Sequence, residues 1–188
     1  MAEETPCSEI DFKVHMIESA DYSKLVDFTC GVPTLDNFFH FEVEECVAYH
    51  YLSAYIATTM SDEIIAVFTL MNDALMIESQ CAKEDFIEDL RFERAENIVD
   101  FFSRQTSYPA INIGHLGVAR KYQGLKIGRK IIDLVAATYF SHKQAGCQFV
   151  TVDALNNNDT IKFYLQNSFF FQTNRDQYSP TRRMYRIL

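Results

Sequence analysis

Glycine and proline are scarce in this chain, 6 and 4 among 188 residues. No long polar tract interrupts it either, which excludes a disordered or linker-rich protein. No apolar run approaches the ~20 residues that a membrane-spanning helix needs. No signal-peptide layout opens the sequence. A soluble, cytoplasmic protein with no membrane partner is therefore expected. None of the five cysteines (Cys7, Cys30, Cys46, Cys81, Cys147) stands in a CxxC pair. An odd, dispersed set reads as reduced thiols that serve as small packing residues. The five histidines, His15, His40, His50, His115 and His142, lack HExxH or HxH spacing, so no metal site is expected.

Positive charge is nearly missing from the first hundred residues, which hold 22 Asp and Glu against 5 Lys and Arg. Residues 101–188 reverse the balance, 4 against 12, within a net charge of −9. An acidic protein is a poor non-specific binder of nucleic acid, yet the basic half can attract an anionic ligand locally. At 48% hydrophobic residues the chain can bury a sizeable core. The expectation is one domain over 1–188.

The stretch "DFKVHMI" alternates as a strand does, and "VPTLDNFFHFEVEECVAYHY" scatters its apolar residues at helical spacing behind Pro33. "SAYIATT" and "EIIAVFTLMN" read as strands joined by a hairpin turn at "MSDE", with "ALMIE" as a further short strand. Residues 82–105, with Phe86, Leu90, Ile98, Phe101 and Phe102 among acids, read as one or two amphipathic helices. Their expected place is a solvated cap, a dimer contact or a cover for an acceptor site. "AINIGHLGV" reads as a buried strand after Tyr108-Pro109, and "LKIGRKIIDLVAATYFSHK" as a helix with Ile127, Ile131, Leu134 and Val135 as its stripe. "CQFVTVDA" is the next strand, "NDTIKFYLQN" a short helix, and "FFFQT" and "RMYRIL" the closing strands. The order predicts an α/β (mixed α+β) fold, a mixed central sheet with helices on both faces.

In "GHLGVARKYQGLKIGRKII" a strand gives way to a glycine turn and then a helix. First-turn N–H groups of a helix lack partners and sit at its positive end, so they can receive phosphate oxygens. Gly124 and Gly128 remove side chains where a pyrophosphate must approach the backbone.

This stretch resembles the acetyl-coenzyme-A motif of the GNAT superfamily of N-acetyltransferases: Gln or Arg, two residues, Gly, one residue, then Gly or Ala, behind a strand ending in apolar-x-Val. The strand end falls on Leu116, Gly117 and Val118; the motif falls on Gln123, Gly124, Leu125, Lys126, Ile127 and Gly128. The resemblance implies that the strand end holds the pantetheine arm of acetyl-CoA and the turn, with Arg129, its pyrophosphate. Lys126 replaces the motif's first glycine; a helical backbone there does not demand glycine. A second element, "NNDTIKFYLQNSF", is similar to the family's "N-x-x-A-x-x-F-Y-x-x-x-G-F". It adds Asn157 to the cofactor site and has Thr160 and Ser168 as small replacements for alanine and glycine. The resemblance covers 108–188. It extends loosely to "FTCGVPTLDNFF", Phe28 to Phe39, which is similar to the branch containing toxins that acetylate aminoacyl-tRNA.

Acetyl transfer needs a neutral amine, a polarised carbonyl and a proton for the departing thiolate. The resemblance assigns that proton to Tyr164; the alternative is a core aromatic beside Phe163. Alternation puts Asn112 and Gly114 on the face of Leu116, and His115 opposite with Ile111 and Ile113. Neither Asn112 nor Gly114 is a base, and His115 reads as a packed or hydrogen-bonded histidine. This favours an α-amine (pKa about 7.7–8.0) over a lysine side chain (about 10.4). Three readings stay open: an N-acetyltransferase acting on a small-molecule or peptide amine by direct attack in a ternary complex; a toxin-like enzyme acting on aminoacyl-tRNA, favoured by the basic half with Arg182, Arg183 and Arg186; or a non-catalytic CoA-binding module. A homodimer is compatible with each.

Overall fold

A computed structural model of the chain describes residues 10–77, 80–93, 96–141 and 145–188. Cys7 and His142 lie outside the described residues, as do the side chains of Cys81 and Ile98. Seven strands are hydrogen-bonded in the order β1-β2-β3-β4-β5-β7-β6. They are β1 (Lys13–Met16), β2 (Ser53–Thr58), β3 (Ile64–Met76), β4 (Ser107–Val118), β5 (Phe149–Leu155), β6 (Phe170–Phe171) and β7 (Thr181–Ile187). The helices are α1 (Tyr22–Leu25), α2 (Pro33–Phe41), α3 (Val43–Ala48), α4 (Gln80–Glu93), α5 (Glu96–Ser103), α6 (Ile127–Ser141) and α7 (Asn158–Leu165). β4 and β5 are parallel, joined through α6 as a parallel pair requires, while β1/β2, β2/β3, β5/β7 and β6/β7 are antiparallel. The architecture is the expected mixed α+β one.

The chain packs as two compact units, one running up to Leu70 together with His115–Ile131, the other formed by Met71–Gly114 and Ile132–Leu188. In the first unit Leu25, Phe28, Phe39, Val43, Ile56, Ile65 and Val67 are buried, with Phe28 and Phe39 edge to face at 5.7 Å. Pro33 opens α2, where its missing N–H costs nothing. The stretch expected as one helix is two, because Glu42 (φ −116°) departs from helical geometry between α2 and α3.

In the second unit Leu75, Phe86, Leu90, Val99, Phe102, Tyr108, Phe149 and Tyr185 form one core. This corrects the reading of residues 82–105 as a solvated cap: α4 and α5 supply Phe86, Leu90, Val99 and Phe102 to that core, while Phe101 turns outward, 55% exposed. Lys83 on α4 donates to the carbonyls of Phe102 (3.1 Å) and Gln105, which ties α4 to the end of α5. In β5, Phe149 and Thr151 point one way and Val150, Val152 and Ala154 the other; all are buried, so the strand is covered on both faces.

Two more elements differ from the sequence reading. "EIIAVFTLMN" and "ALMIE" are one strand, β3, because Asn72 and Asp73 stay extended. Helix α6 begins at Ile127, two residues late, because Lys126 has a left-handed backbone. Its stripe takes Ile132 in place of Leu134, which is 41% exposed.

Candidate active site

In the first unit the end of β4 is followed by a 3-10 turn, Arg120–Tyr122, and then the glycine turn. Gly124 (φ +78°) and Lys126 (φ +61°) are both left-handed. The expectation that Lys126 needs no glycine is thereby corrected: a left-handed backbone costs an L-residue about 1–2 kcal/mol, which glycine avoids. The first bond of α6 runs from Lys130 N–H to Lys126 O at 3.1 Å. Ile127 and Gly128 thus fall in the first turn of the helix, whose N–H groups precede any acceptor in the helix and can receive an anion. Gly124, Lys126 and Arg129 are exposed, and Ile127 and Gly128 are buried beneath them.

The turn is tied down from two sides within this unit. Gln123 Nε2 donates to Cys30 O at 2.7 Å and Val118 O at 2.9 Å, so its side chain holds the turn to the strand end. Tyr122 donates to Glu63 at 2.7 Å, and Lys121 pairs with the same carboxylate. A Cβ on Gly117 would come within 2.8 Å of the Phe39 ring and 3.4 Å of Cys30 Sγ, so only glycine fits there. Burial pushes the Cys30 thiol up to about 11.

His115 belongs to this unit and is half-buried. Its Nδ1 lies 3.0 Å from Thr69 Oγ1, and its ring stacks on Phe38 at 3.6 Å. Burial pushes its pKa below the ordinary 6.5, against an upward pull from Glu42. It is the packed, hydrogen-bonded histidine that the strand alternation predicts.

In the second unit Asn157 caps α7, its Oδ1 accepting from Thr160 N–H at 2.9 Å. Tyr164 lies in the last turn of α7, buried, with its ring edge to face on Phe163 and Phe169, each at 5.1 Å. Burial pushes its phenol well above the ordinary 10. The helix closes in a Schellman pattern: Phe169 N–H donates to Tyr164 O (3.1 Å) and Ser168 N–H to Leu165 O (3.2 Å). Ser168 is left-handed at φ +62°. Its place in the motif is thus a matter of backbone conformation, and small size is not the reason.

The second unit also holds a polar network that sequence reasoning missed. Asn112 donates to Thr151 Oγ1 at 3.2 Å, Thr151 donates to Asp73, and Arg183 joins Asp73 to Asp153, the latter at 2.8 Å. Arg182 pairs with Asp176 at 2.7 Å and Arg186 with Asp133 at 2.8 Å. The three arginines read as attractors for nucleic acid are thus engaged in internal pairs. Among the described residues no group of His, Cys, Asp and Glu is placed to hold a metal, and no helix is long and apolar enough to cross a membrane.

No curated protein matches the chain. Among solved structures it is similar to a bacterial toxin (18% identity, 95% of this chain and 91% of that one, TM-score 0.70). It is similar also to AtaT complexed with acetyl-methionyl-tRNAfMet (18%, 92% and 94%, TM-score 0.68). A tyrosine-to-phenylalanine mutant of AtaT, bound to the C-terminus of the antitoxin AtaR and acetyl-CoA, gives 17%, 94% and 93%, with TM-score 0.68. At these identities the likeness establishes the fold. Residues 80–169 match the model of the acetyltransferase (GNAT) family. That match spans just under half of the chain, and over it the sequence is similar to the acetyltransferases of the GNAT family.

Proposed function

We propose that the enzyme moves the acetyl group of acetyl-CoA to an α-amino group, by direct attack in a ternary complex. The observation that carries this reading is on β4. Asn112, the side chain that alternation sets on the face of Gly114 and Leu116, is buried and engaged with Thr151. β4 itself supplies no base there, and the nearby Asp73 carboxylate is engaged by Thr151 and Arg183, so the acceptor must arrive largely neutral, and an α-amine near pKa 7.7–8.0 does so far more readily than a lysine near 10.4. The main chain of Leu116, Gly117 and Val118 holds the pantetheine arm, and that of Gln123–Arg129 holds the pyrophosphate. Tyr164 is the general acid: burial keeps its phenol protonated until the thiolate leaves. Asn157 serves by fixing the start of α7, the helix that carries Tyr164. The free thiols of Cys30, Cys46 and Cys147 fit a reducing, cytoplasmic setting.

Labelled acetyl-CoA offered with amino-acid amides, a peptide amino terminus and an α-blocked lysine tests this. α-Amines should be acetylated and the α-blocked lysine refused; turnover on the ε-amine alone would overturn the reading. Tyr164→Phe should lower kcat about 10²–10⁴-fold, the usual contribution of a general acid.

A second reading, aminoacyl-tRNA as acceptor, is favoured by the likeness to AtaT complexed with acetyl-methionyl-tRNAfMet. Esterification lowers the pKa of the amine further, which suits a site to which β4 supplies no base. Binding of charged tRNA should then fall steeply with added salt; no binding at low salt removes this reading.

A further inference from the structure

The stretch Phe28–Phe39 remains unexplained by the chemistry above. Its loop is shaped by one carboxylate. Asp36, in the first turn of α2, accepts from Thr29 Oγ1 (2.7 Å), Cys30 N–H (2.8 Å) and Gly31 N–H (3.3 Å). The same loop then holds the glycine turn. Thr29 O accepts from Arg120 N–H at 3.1 Å and Cys30 O from Gln123 Nε2 at 2.7 Å. Gly31, at φ +83°, clears space for the Arg120 guanidinium, since a Cβ there would stand 2.3 Å from Nε. Lys126, a left-handed residue that is not glycine, holds that conformation only when its surroundings over-determine it.

We propose that Asp36 is a positioning residue for the cofactor seat, acting through Thr29, Cys30 and Gly31 on the turn Arg120–Lys126. The proposal rests on the reading of that turn as the pyrophosphate seat. Asp36 touches no part of the turn itself. It fixes the loop carbonyls that in turn fix Arg120 and Gln123, and so sets where the N–H groups after them point.

The test compares wild type with Asp36→Ala, Asp36→Asn and Thr29→Val in two measurements. The first is calorimetric binding of acetyl-CoA. The second is hydrogen exchange of residues 119–126 without ligand. Asp36→Ala should bind acetyl-CoA on the order of tenfold more weakly, as loss of hydrogen bonds to a charged group implies. Its turn should also exchange faster before any ligand is added. Once an acceptor is identified, KM for acetyl-CoA should rise while kcat stays within about twofold, the pattern of lost uniform binding. Thr29→Val, which removes one hydroxyl, gives a smaller shift in the same direction and carries the test if Asp36→Ala does not fold. Unchanged binding and exchange in all three variants would overturn the positioning role. Lys126→Glu tests the seat separately: if acetyl-CoA neither protects residues 119–126 from exchange nor binds Lys126→Glu more weakly, the seat reading fails. Protection by acetyl-CoA alongside unaltered Asp36 variants would overturn the Asp36 role alone.

Discussion

Two residues stand where the family motif has glycine, and both are left-handed: Lys126 at φ +61° and Ser168 at φ +62°. Glycine escapes the left-handed penalty but adds about 0.5–1 kcal/mol of unfolded-state entropy. Lys126→Gly and Ser168→Gly should each therefore raise stability by up to about 1 kcal/mol, read as a higher thermal midpoint. A lower midpoint would contradict the backbone assignment at that position. His115 gives a second expectation. Its folded pKa is depressed below 6.5, so as pH falls through 6.5 the unfolded chain takes a proton that the folded ring resists, and stability declines. Urea midpoints measured at about pH 7.5 and 5.5 should fall more for wild type than for His115→Phe, which keeps an aromatic ring against Phe38.

At the level of elements, helices α4 and α5 decide whether the acidic segment is core or ornament. Phe86→Ala should cost about 3–5 kcal/mol as a buried aromatic truncation, and Phe101→Ala should stay within about 0.5 kcal/mol; equal effects in chemical denaturation would refute the packing described. Strands β4 and β5 and helices α6 and α7 were legible because their apolar periods are long and their ends carry turn residues. The break at Glu42 and the continuity of β3 through Asn72 and Asp73 were not: the helical spacing runs on unbroken past Glu42, and the two polar residues in β3 read as a turn. The turn proposed as the cofactor seat was legible from Gln123, Gly124 and Gly128 as a junction of strand, turn and helix. Its supports were hidden, because hydrogen-bond partners such as Asp73 and Arg183 lie 110 residues apart, and no local pattern marks them.

For the whole molecule, the linear division of charge does not survive folding. Arg120, Lys121, Lys126, Arg129 and Lys130 join the acidic amino-terminal residues in the first unit, while the acids of α4 and α5 belong to the second. The two units should answer acid differently. In the first, burial pushes the Asp21 and Asp36 carboxyls up, but hydrogen bonds outweigh it: from Lys24, Glu18 N–H and His15 to Asp21, and from Thr29, Cys30 and Gly31 to Asp36. Both are held below the ordinary 3.8, so their stabilisation is present above 3.8 and lost as pH falls through the folded values. In the second, burial first, then Asp85 and Glu88, raises Asp89 despite its hydrogen bond from Tyr185. A raised carboxyl binds its proton better folded than unfolded, so acidification strengthens that unit as pH falls through this value. Hydrogen exchange corrected for intrinsic rates should show the first unit opening before the second on acidification; the reverse order would contradict these shifts.

The fit of Cys30 beneath Gly117 has a practical consequence for assays. Coenzyme A released by the enzyme is commonly counted with a thiol reagent, and protein thiols then enter the background. Cys30, buried and with its thiol pushed up to about 11, stays out of that count near neutral pH. Cys46 on α3 and Cys147, both partly exposed, are counted. A variant with Cys46→Ser and Cys147→Ser therefore lowers the background when turnover is measured.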